Sequence, residues 1–237
     1  GMTQMKMQNR LDAGESLPEY DRWYTTGRNI GTEASPAPAA GRDWRPIFHP
    51  VVVDLFPVVP PPDDAPFTTV MNWQSYAHVE YRGASYGHKD VEFERFVSLP
   101  RHVLAPLEAA ISGKDVPYER LEKAGWRLRE AHEVTVSFDA FRAYIQASKG
   151  EFSVCKNGYV ATNCGWFSDR GAAYLASGRP VVQQDTGFSG HLPCGEGLFA
   201  IRTVEEAAAA IAEIASDYAS HARRAREIAL AYLDAPV

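Results

Sequence analysis

The sequence predicts a doubly wound, parallel α/β sheet over residues 67–220, preceded by a loop-rich extension over 1–66 and followed by a terminal helix over 221–237. Two observations lead to this prediction. Short apolar runs rich in β-branched residues alternate with helical periodicities, which is typical of helices packed on a parallel sheet. The joints between them are short, so successive strand, helix and strand segments predict right-handed crossovers.

The clearest unit is the stretch 151–189, which has the pattern strand, loop, helix, strand, loop. Its helix has signals at both ends, because Ser168 or Asp169 can cap the start and Gly178 can cap the end. The two strands are predicted at the apolar runs Phe152–Val154 and Val181–Val182.

The elements before this unit follow the same alternation. A strand is predicted over Thr68–Trp73, and residues 106–112 are either a strand or a short helix. A helix that Gly125 ends precedes a strand at 126–128. An amphipathic helix capped by Asp139 then leads into the central unit.

The chain after residue 201 is predicted to be helical. Thr203 and Glu206 form a capping box at the start of one helix. Asp217 or Ser220 can begin a second helix, which becomes the terminal one.

Residues 1–66 differ in composition from the rest of the chain. They contain the runs TEASPAPAAG and FPVVPPPDDAP, whose proline content does not support long helices. One strand is predicted at Val51–Val53. It either packs on the main domain as a single strand or is the remnant of a second α/β domain.

Composition excludes several classes of protein. A net charge of -6 and a pI of about 5.7 argue against a general nucleic-acid-binding protein. No apolar run approaches ~20 residues, so no membrane-spanning helix is predicted, and the start lacks the apolar segment of a signal peptide. The three cysteines, an odd number without a C-x-x-C pair, indicate a reduced, cytoplasmic protein without a metal site.

Two loops of the central unit are candidates for ligand binding. Ligands of open α/β sheets bind beyond the carboxyl ends of the strands, where 165–170 and 185–187 are expected to lie. A helix start binds anions through free N–H groups and its dipole, and Ser168 and Arg170 could add bonds to a phosphate. The structural alternatives are a helix cap at Ser168, a salt bridge at Arg170 and an Asx-turn at Asp185.

Three segments in the last third of the chain carry a family resemblance. They are an A-x-G-x-P-V-V run, a turn with Asp, Thr and Gly, and a G-x-G-L run before the last strand. The residues concerned are Ala176, Gly178, Pro180, Val181, Val182, Asp185, Thr186, Gly187, Gly195, Gly197 and Leu198. Together these segments resemble the carboxyl-terminal domain of GT-B glycosyltransferases, which implies a Rossmann-like domain that binds a nucleotide sugar.

The resemblance implies transfer of a sugar from a nucleotide-sugar donor to an unknown acceptor, with no metal and no cofactor besides the donor. Trp73 and the aromatic loop after it either stack on the base or cover apolar surface. Lys156 lies in a loop that could reach the same ligand-binding region beyond the carboxyl ends of the strands. The implied donor-binding residues are Gly165, Trp166, Phe167, Ser168, Asp169, Arg170, Asp185, Thr186, Gly187, Trp73 and Lys156.

Two features depart from the GT-B pattern. Many retaining members carry two glutamates around this helix, and the matching positions here are Gly165 and Ala173. An Arg and a Lys after the first strand bind the diphosphate in the superfamily, and Arg82 and Lys89 are the nearest candidates, at a different spacing. No catalytic residue is assigned.

The resemblance covers one of the two domains of a GT-B enzyme, so most of the amino-terminal domain is expected to be missing. A transferase would then need an acceptor surface from a homo-oligomer or a separate partner domain. The alternative is a non-catalytic module that binds a nucleotide, a sugar or another protein. Neither hypothesis includes a nucleic-acid partner or a membrane span.

Overall fold

The structure of the protein, a computed structural model, describes residues 1–235. The α-helices in this range are α1 (Met2–Asp12), α2 (Lys89–Phe93), α3 (Tyr118–Ala124), α4 (Ala131–Thr135), α5 (Phe138–Gln146), α6 (Asn157–Ala161), α7 (Asp169–Ala176), α8 (Val204–Ser216) and α9 (Tyr218–Tyr232). The strands are β1 (Trp23–Thr25), β2 (Trp44–Pro46), β3 (Phe67–Asn72), β4 (Val79–Tyr81), β5 (Ala84–Tyr86), β6 (Leu107–Ser112), β7 (Arg127–Glu130), β8 (Gly150–Ser153), β9 (Val181–Gln184) and β10 (Leu198–Ile201).

Six strands form one parallel sheet in the order β10-β9-β8-β3-β6-β7. Phe67 of β3 pairs with Leu107 of β6 on one side and with Gly150 of β8 on the other. The chain builds from β3 out to β7, returns to β8 and builds out to β10. The predicted doubly wound α/β fold is confirmed. The strand order reverses between β3 and β8, which is where such sheets bind ligands.

Helices cover both faces of the sheet. On one face, Phe93, Phe96 and Trp126 form a core with the buried side of α8. On the other face, Phe167 and Tyr174 pack with buried residues of α5 and α9. Burial of one such side chain contributes about 1.5–3 kcal/mol, so these two layers hold the sheet and the loops at its edge.

Most predicted elements of the sheet region are found. The strand predicted at 68–73 is β3, and the open choice at 106–112 is settled as the strand β6. The cap predicted at Asp139 is wrong, because the Ser137 hydroxyl accepts the N–H of Ala140 at 3.1 Å and caps α5. The acidic residue lies in the first turn instead.

The terminal helix begins at the earlier of its two predicted starts. Asp217 caps α9 by accepting the N–H of Ser220 at 3.2 Å, so the helix starts at Tyr218 and not at 221. Residues 236–237 of the predicted terminal helix lie outside the described residues. Among the helices of residues 1–235, none has the length and apolar character needed to cross a membrane.

The strand predicted at Val51–Val53 is wrong. Val51 forms one isolated bridge to Asp234, and Val53–Leu55 is a 3-10 turn. Both valines are buried against α7 and α9, so their apolar pattern reflects packing and not strand pairing. The extension instead contains α1 and the parallel pair β1–β2.

The hairpin β4–β5 follows β3 in the chain and packs against the extension. Its turn residues, Arg82 and Gly83, have φ values of 50° and 77°, as tight hairpin turns require. Met2 and Met5 of α1 pack on the hairpin in a small apolar cluster. Because the hairpin follows β3 directly, this contact places the extension near the carboxyl ends of the strands.

Candidate functional site

Helix α7 starts beside the carboxyl ends of β8 and β9 without a side-chain cap. Ser168 occupies the cap position, but its hydroxyl makes no capping bond. That hydroxyl is fully buried and has no hydrogen-bond partner among the described residues. The first turn of a helix also leaves backbone N–H groups without partners inside the helix. The start of α7 therefore combines free donors with the positive end of the helix dipole.

Lys89, the first residue of α2, is buried next to this helix start. It is 5% exposed, and its Nζ has no hydrogen-bond partner within residues 1–235. Burial, followed by the nearby charge of Arg170, lowers the pKa of Lys89 to about 7. Arg82, the other candidate for a diphosphate, lies on the exposed β4–β5 turn, with its guanidinium 5.2 Å from the Tyr81 ring.

Arg170 and Glu151 form the second charged part of the site. The Nε of Arg170 lies 3.4 Å from Glu151 Oε1, and its Nη2 donates to the Ser153 hydroxyl at 3.2 Å. Glu151 is fully buried on β8, and burial raises the pKa of its carboxyl although Arg170 opposes the shift. With Lys89, the group places two cationic side chains next to one buried carboxyl.

A hydrogen-bond network around Glu92 fixes the loop after β8. Its carboxylate accepts Asn157 Nδ2 at 2.9 Å and also the side-chain amide of Gln184. Gln184 in turn accepts the backbone N–H of Cys155 at 3.1 Å. Because Glu92 belongs to α2, the network ties the helix that carries Lys89 to the loops after β8 and β9.

A cavity of about 470 Å³ opens at the carboxyl ends of β3 and β6. Asn72 and Ser112 end these two strands, and Asp169 and Arg170 enter the cavity from the first turn of α7. Phe138 supplies an aromatic wall and is 46% exposed. The cavity thus has polar groups on the side of α7 and an aromatic ring on the side of α5.

Residues 27–35 of the extension form a strap along the segment 162–166. The N–H groups of Arg28 and Asn29 donate to the carbonyls of Gly165 and Cys164 at 3.3 and 3.0 Å. Gly27 forms an antiparallel bridge with Trp166. Gly165 and Trp166, both predicted to contact the donor, are therefore covered by the strap on this side.

The turn after β9 is occupied by contacts within the protein. Asp185 accepts the N–H of Gly187 at 2.8 Å, which is the Asx-turn considered above, and also pairs with Arg202 at 2.6 Å. The Thr186 hydroxyl donates to the carbonyl of Trp166. A role for these three turn residues in donor binding stays a prediction.

Two predicted aromatic contacts lie in the core. Trp73 is 3% exposed with its ring 5.5 Å from that of Phe93, and Phe167 is equally buried. Neither ring can stack on a base in this arrangement, so Trp73 follows the packing alternative. Lys156 lies after β8, where its Nζ donates to the Tyr76 hydroxyl at 3.1 Å, and its role in donor binding stays a prediction.

Several residues of the site were not predicted from the sequence, among them Glu151, Glu92 and Phe138. Glu151 did carry a signal, since an acidic residue in the short strand run GEFSV must find a partner when the strand is buried. No sequence signal indicated Glu92 or Phe138 as site residues, because the partners of both come from distant parts of the chain.

The close contact between strap and loop predicts a large effect of Gly165→Ala. Gly165 has a φ of +77°, and a Cβ there would lie 2.8 Å from the backbone nitrogen of Asn29. Gly14→Ala is a matched control, because Gly14 has a φ of +80° and open space around it. We expect Gly165→Ala to lower the free energy of unfolding by about 1–3 kcal/mol more than the control, measured by urea denaturation. Equal losses would show that the strap yields freely.

The fold of this chain is similar to that of several solved structures. No family model matches the chain, and no curated protein matches its sequence. The Anabaena protein HepE, solved in complex with UDP and glucose, matches with a TM-score of 0.54 and 12% identity over 83% of this chain and 55% of that one. Sucrose-phosphate synthase from Thermosynechococcus elongatus matches with a TM-score of 0.53 and 16% identity over 84% of this chain and 50% of that one.

A third match is to an isolated domain. The C-terminal domain of a glycosyl transferase group 1 family protein from Francisella tularensis has a TM-score of 0.53 and 11% identity over 78% of this chain and 100% of the domain. The chain spans only about half the length of the other two proteins. At these identities the likeness concerns the fold. The chain has the Rossmann-like fold of the carboxyl-terminal domain of GT-B glycosyltransferases.

Proposed function

We propose that this chain binds a nucleotide-sugar donor at the carboxyl edge of its sheet and takes part in glycosyl transfer. The observation that carries the proposal is a pair of buried groups beside the start of α7, Lys89 Nζ and the Ser168 hydroxyl, neither of which has a hydrogen-bond partner within residues 1–235. Burying such groups without partners costs free energy, which a bound anion would offset. The diphosphate of a nucleotide sugar is an anion of suitable charge.

In the proposed reaction the diphosphate is the leaving group. The bond from the anomeric carbon to the diphosphate breaks, and an acceptor hydroxyl oxygen takes its place on that carbon. The products are the glycosylated acceptor, the nucleoside diphosphate and the proton of the hydroxyl. Lys89, Arg170 and the dipole of α7 would stabilise the charge that develops on the diphosphate, as preorganised donors do in other enzymes.

The nucleoside is assigned to the cavity between α5 and α7. Its volume of about 470 Å³ lies in the usual range for small-molecule sites. Phe138 provides a ring face for the base, and Asn72 and Ser112 provide hydrogen-bonding groups at the strand ends. This assignment replaces Trp73 with Phe138 as the stacking residue and keeps Asp169 and Arg170 in the donor site.

Donor binding is proposed to be independent of a metal ion. Two cationic side chains and a helix start occupy the place where a divalent cation would otherwise balance the diphosphate. Within residues 1–235, no three His, Cys, Asp or Glu side chains are grouped in a way that could hold a metal ion. The expected dependence of binding on added magnesium is therefore small.

A second candidate function is donor binding without transfer. The glutamate positions of the GT-B pattern are Gly165 and Ala173 in this chain. A side chain at residue 165 would collide with the backbone of Asn29, and Ala173 is buried, so neither position can present a carboxylate. The two functions separate in one assay, because only a transferase releases nucleoside diphosphate from a nucleotide sugar in the presence of acceptor.

The donor site is tested by calorimetric titration with UDP, GDP and ADP, each without metal. One of them should bind with a micromolar Kd, and Arg170→Ala should weaken that binding by roughly 10–100-fold because a charge-assisted contact is lost. Arg224→Ala, on the outer surface of α9, should leave the Kd unchanged. The absence of both heat and thermal shift with all three nucleotides would rule out the donor site.

A further inference from the structure

A second pocket, of about 230 Å³, lies between the extension and the segment 159–166. It is distinct from the donor cavity and shares none of its lining residues. Four aromatic residues line it, two from the extension and two from the Rossmann-like domain. They are Tyr24, Trp44, Tyr159 and Trp166.

The rings of this pocket are held in place by other contacts. The indole N–H of Trp44 donates to the Ala39 carbonyl at 2.8 Å. The rings of Tyr159 and Trp166 lie 5.0 Å apart, and the backbone of Trp166 is paired with the strap. Tyr24 is the most accessible of the four, with 50% of its surface exposed. Three of the four aromatic walls, Trp44, Tyr159 and Trp166, therefore have contacts that hold them before a ligand binds.

Polar groups complete the lining. Gln4, Thr25 and Thr26 contribute amide and hydroxyl groups, and the amino-terminal amine of Gly1 also lines the pocket and donates to the Gln4 side-chain carbonyl at 2.8 Å. Burial lowers the pKa of this amine, which disfavours its charged form, and no charged side chain lines the pocket in the described part of the chain. The Thr25 hydroxyl accepts the N–H of Gly27 at 3.0 Å, which fixes its position. Such a lining suits a neutral ligand that has both apolar faces and hydroxyl groups.

We infer that this pocket binds the ring of a neutral sugar. A pyranose has faces of C–H groups that pack on aromatic rings, and hydroxyls that bond to amides and hydroxyls. The volume lies below the roughly 300–1,000 Å³ of drug-sized sites, which fits one sugar ring and not a long glycan.

The position of the pocket identifies this sugar as the acceptor, a step that rests on the proposed function. Trp166 lies on the loop that leads into α7, at whose start the donor diphosphate is placed. Lys156 lies beside the pocket, because its Nζ is 5.7 Å from the centre of the Tyr159 ring. The extension would then supply half of the acceptor site, and no second chain is needed for it.

The test is saturation-transfer difference NMR on the full chain with a panel of methyl glycosides. The panel contains glucose, galactose, mannose, N-acetylglucosamine, xylose and rhamnose as both anomers. At least one glycoside should receive saturation, strongest on the C–H protons of one ring face. Tyr24→Ala should weaken its binding by roughly two- to tenfold, as expected for the loss of one aromatic contact, and Tyr24→Phe should restore it.

Tyr232→Ala is the matched control, because it removes a similarly exposed ring that lines neither pocket and should leave glycoside binding unchanged. Tyr24 is exposed, so its replacement is compatible with folding. The inference is overturned if no glycoside receives saturation, or if Tyr24→Ala binds as the wild type does. Nucleotide titration of Arg170→Ala tests the donor site separately, so failure of the sugar site and failure of the proposed function give different results.

Discussion

Replacing Lys89 with methionine is expected to weaken nucleoside diphosphate binding by roughly 10–100-fold and at the same time to stabilise the fold. Binding weakens because the ammonium is assigned to the diphosphate. Stability rises because the folded protein buries the polar amine of Lys89 without a hydrogen-bond partner among residues 1–235. Methionine has a similar length and fills the same space without a charge.

The sign of the stability change follows from the pKa of Lys89. Burial lowers this pKa to about 7 from its ordinary value of 10.5, so the folded state disfavours the charged form relative to the unfolded state. Removing an unsatisfied buried polar group returns about 1–3 kcal/mol, which corresponds to a rise in Tm of roughly 2–10 °C for a chain of this size. Differential scanning calorimetry and nucleotide titration on the same samples measure both effects.

The control for this prediction is Lys123→Met, because the Lys123 side chain is 79% exposed and lies on α3, away from the site. It should change neither the Tm nor the Kd by a measurable amount. Wild-type nucleotide affinity in Lys89→Met would remove this lysine from the donor site. A lower Tm would mean that its attraction to Glu151 outweighs the cost of burial.

The central unit of the fold was predictable because its signals are local. Gly178 and Pro180 end α7, and the apolar pair Val181–Val182 begins β9 a few residues later. Every residue that fixes this order lies within one short stretch of chain. The same holds for Asp217 as the cap of α9, which the sequence already suggested.

The extension was not predictable in this way because long-range contacts determine it. The strap is held by Asn29 and its neighbours on a loop more than a hundred positions away, and no pattern in residues 27–35 indicates that partner. Val51 and Val53 have the composition of a strand but pack on helices. Tertiary packing therefore overrides local β-propensity here.

The charged residues of the site show why residue type alone is a weak guide. A lone lysine in a sequence is usually on the surface, yet Lys89 is buried because the Glu92 network holds α2 against the loops. Asp185 has the opposite outcome, since its carboxylate is used by the Asx-turn and by Arg202. The sequence alone is compatible with a buried or an exposed lysine at residue 89. It is equally compatible with a structural or a ligand-binding aspartate at residue 185.

Nucleoside diphosphate binding is expected to weaken as the pH rises from 7.5 to 9.5. In the free protein Lys89 has a pKa of about 7, so it is mainly neutral in this window. A bound diphosphate raises that pKa, and binding must then take up a proton. In the limit of full coupling the Kd rises tenfold per pH unit. The nucleotide itself stays fully ionised here, because phosphate groups have their second pKa near ~6.

Two measurements check this coupling. Calorimetric titration in buffers with different ionisation enthalpies gives the number of protons taken up, which should approach one per site at pH 8.5 in the wild type and vanish in Lys89→Met. Without ligand, a rise in pH stabilises the folded protein, whereas it weakens nucleotide binding. The unfolded chain holds the lysine proton up to the ordinary pKa of 10.5, so the free energy of unfolding gains up to about 1.4 kcal/mol per pH unit above pH 7.

The other groups around Lys89 define what would contradict this prediction. Glu151 is a second titratable group beside Lys89, because burial raises the pKa of its carboxyl although the charge of Arg170 opposes the shift. Glu151→Gln removes that second titration while keeping the shape of the side chain. If proton uptake persists in Glu151→Gln and is lost in Lys89→Met, the lysine is the titrating group. If Glu151→Gln alone removes the uptake, the carboxyl is the group that couples binding to pH.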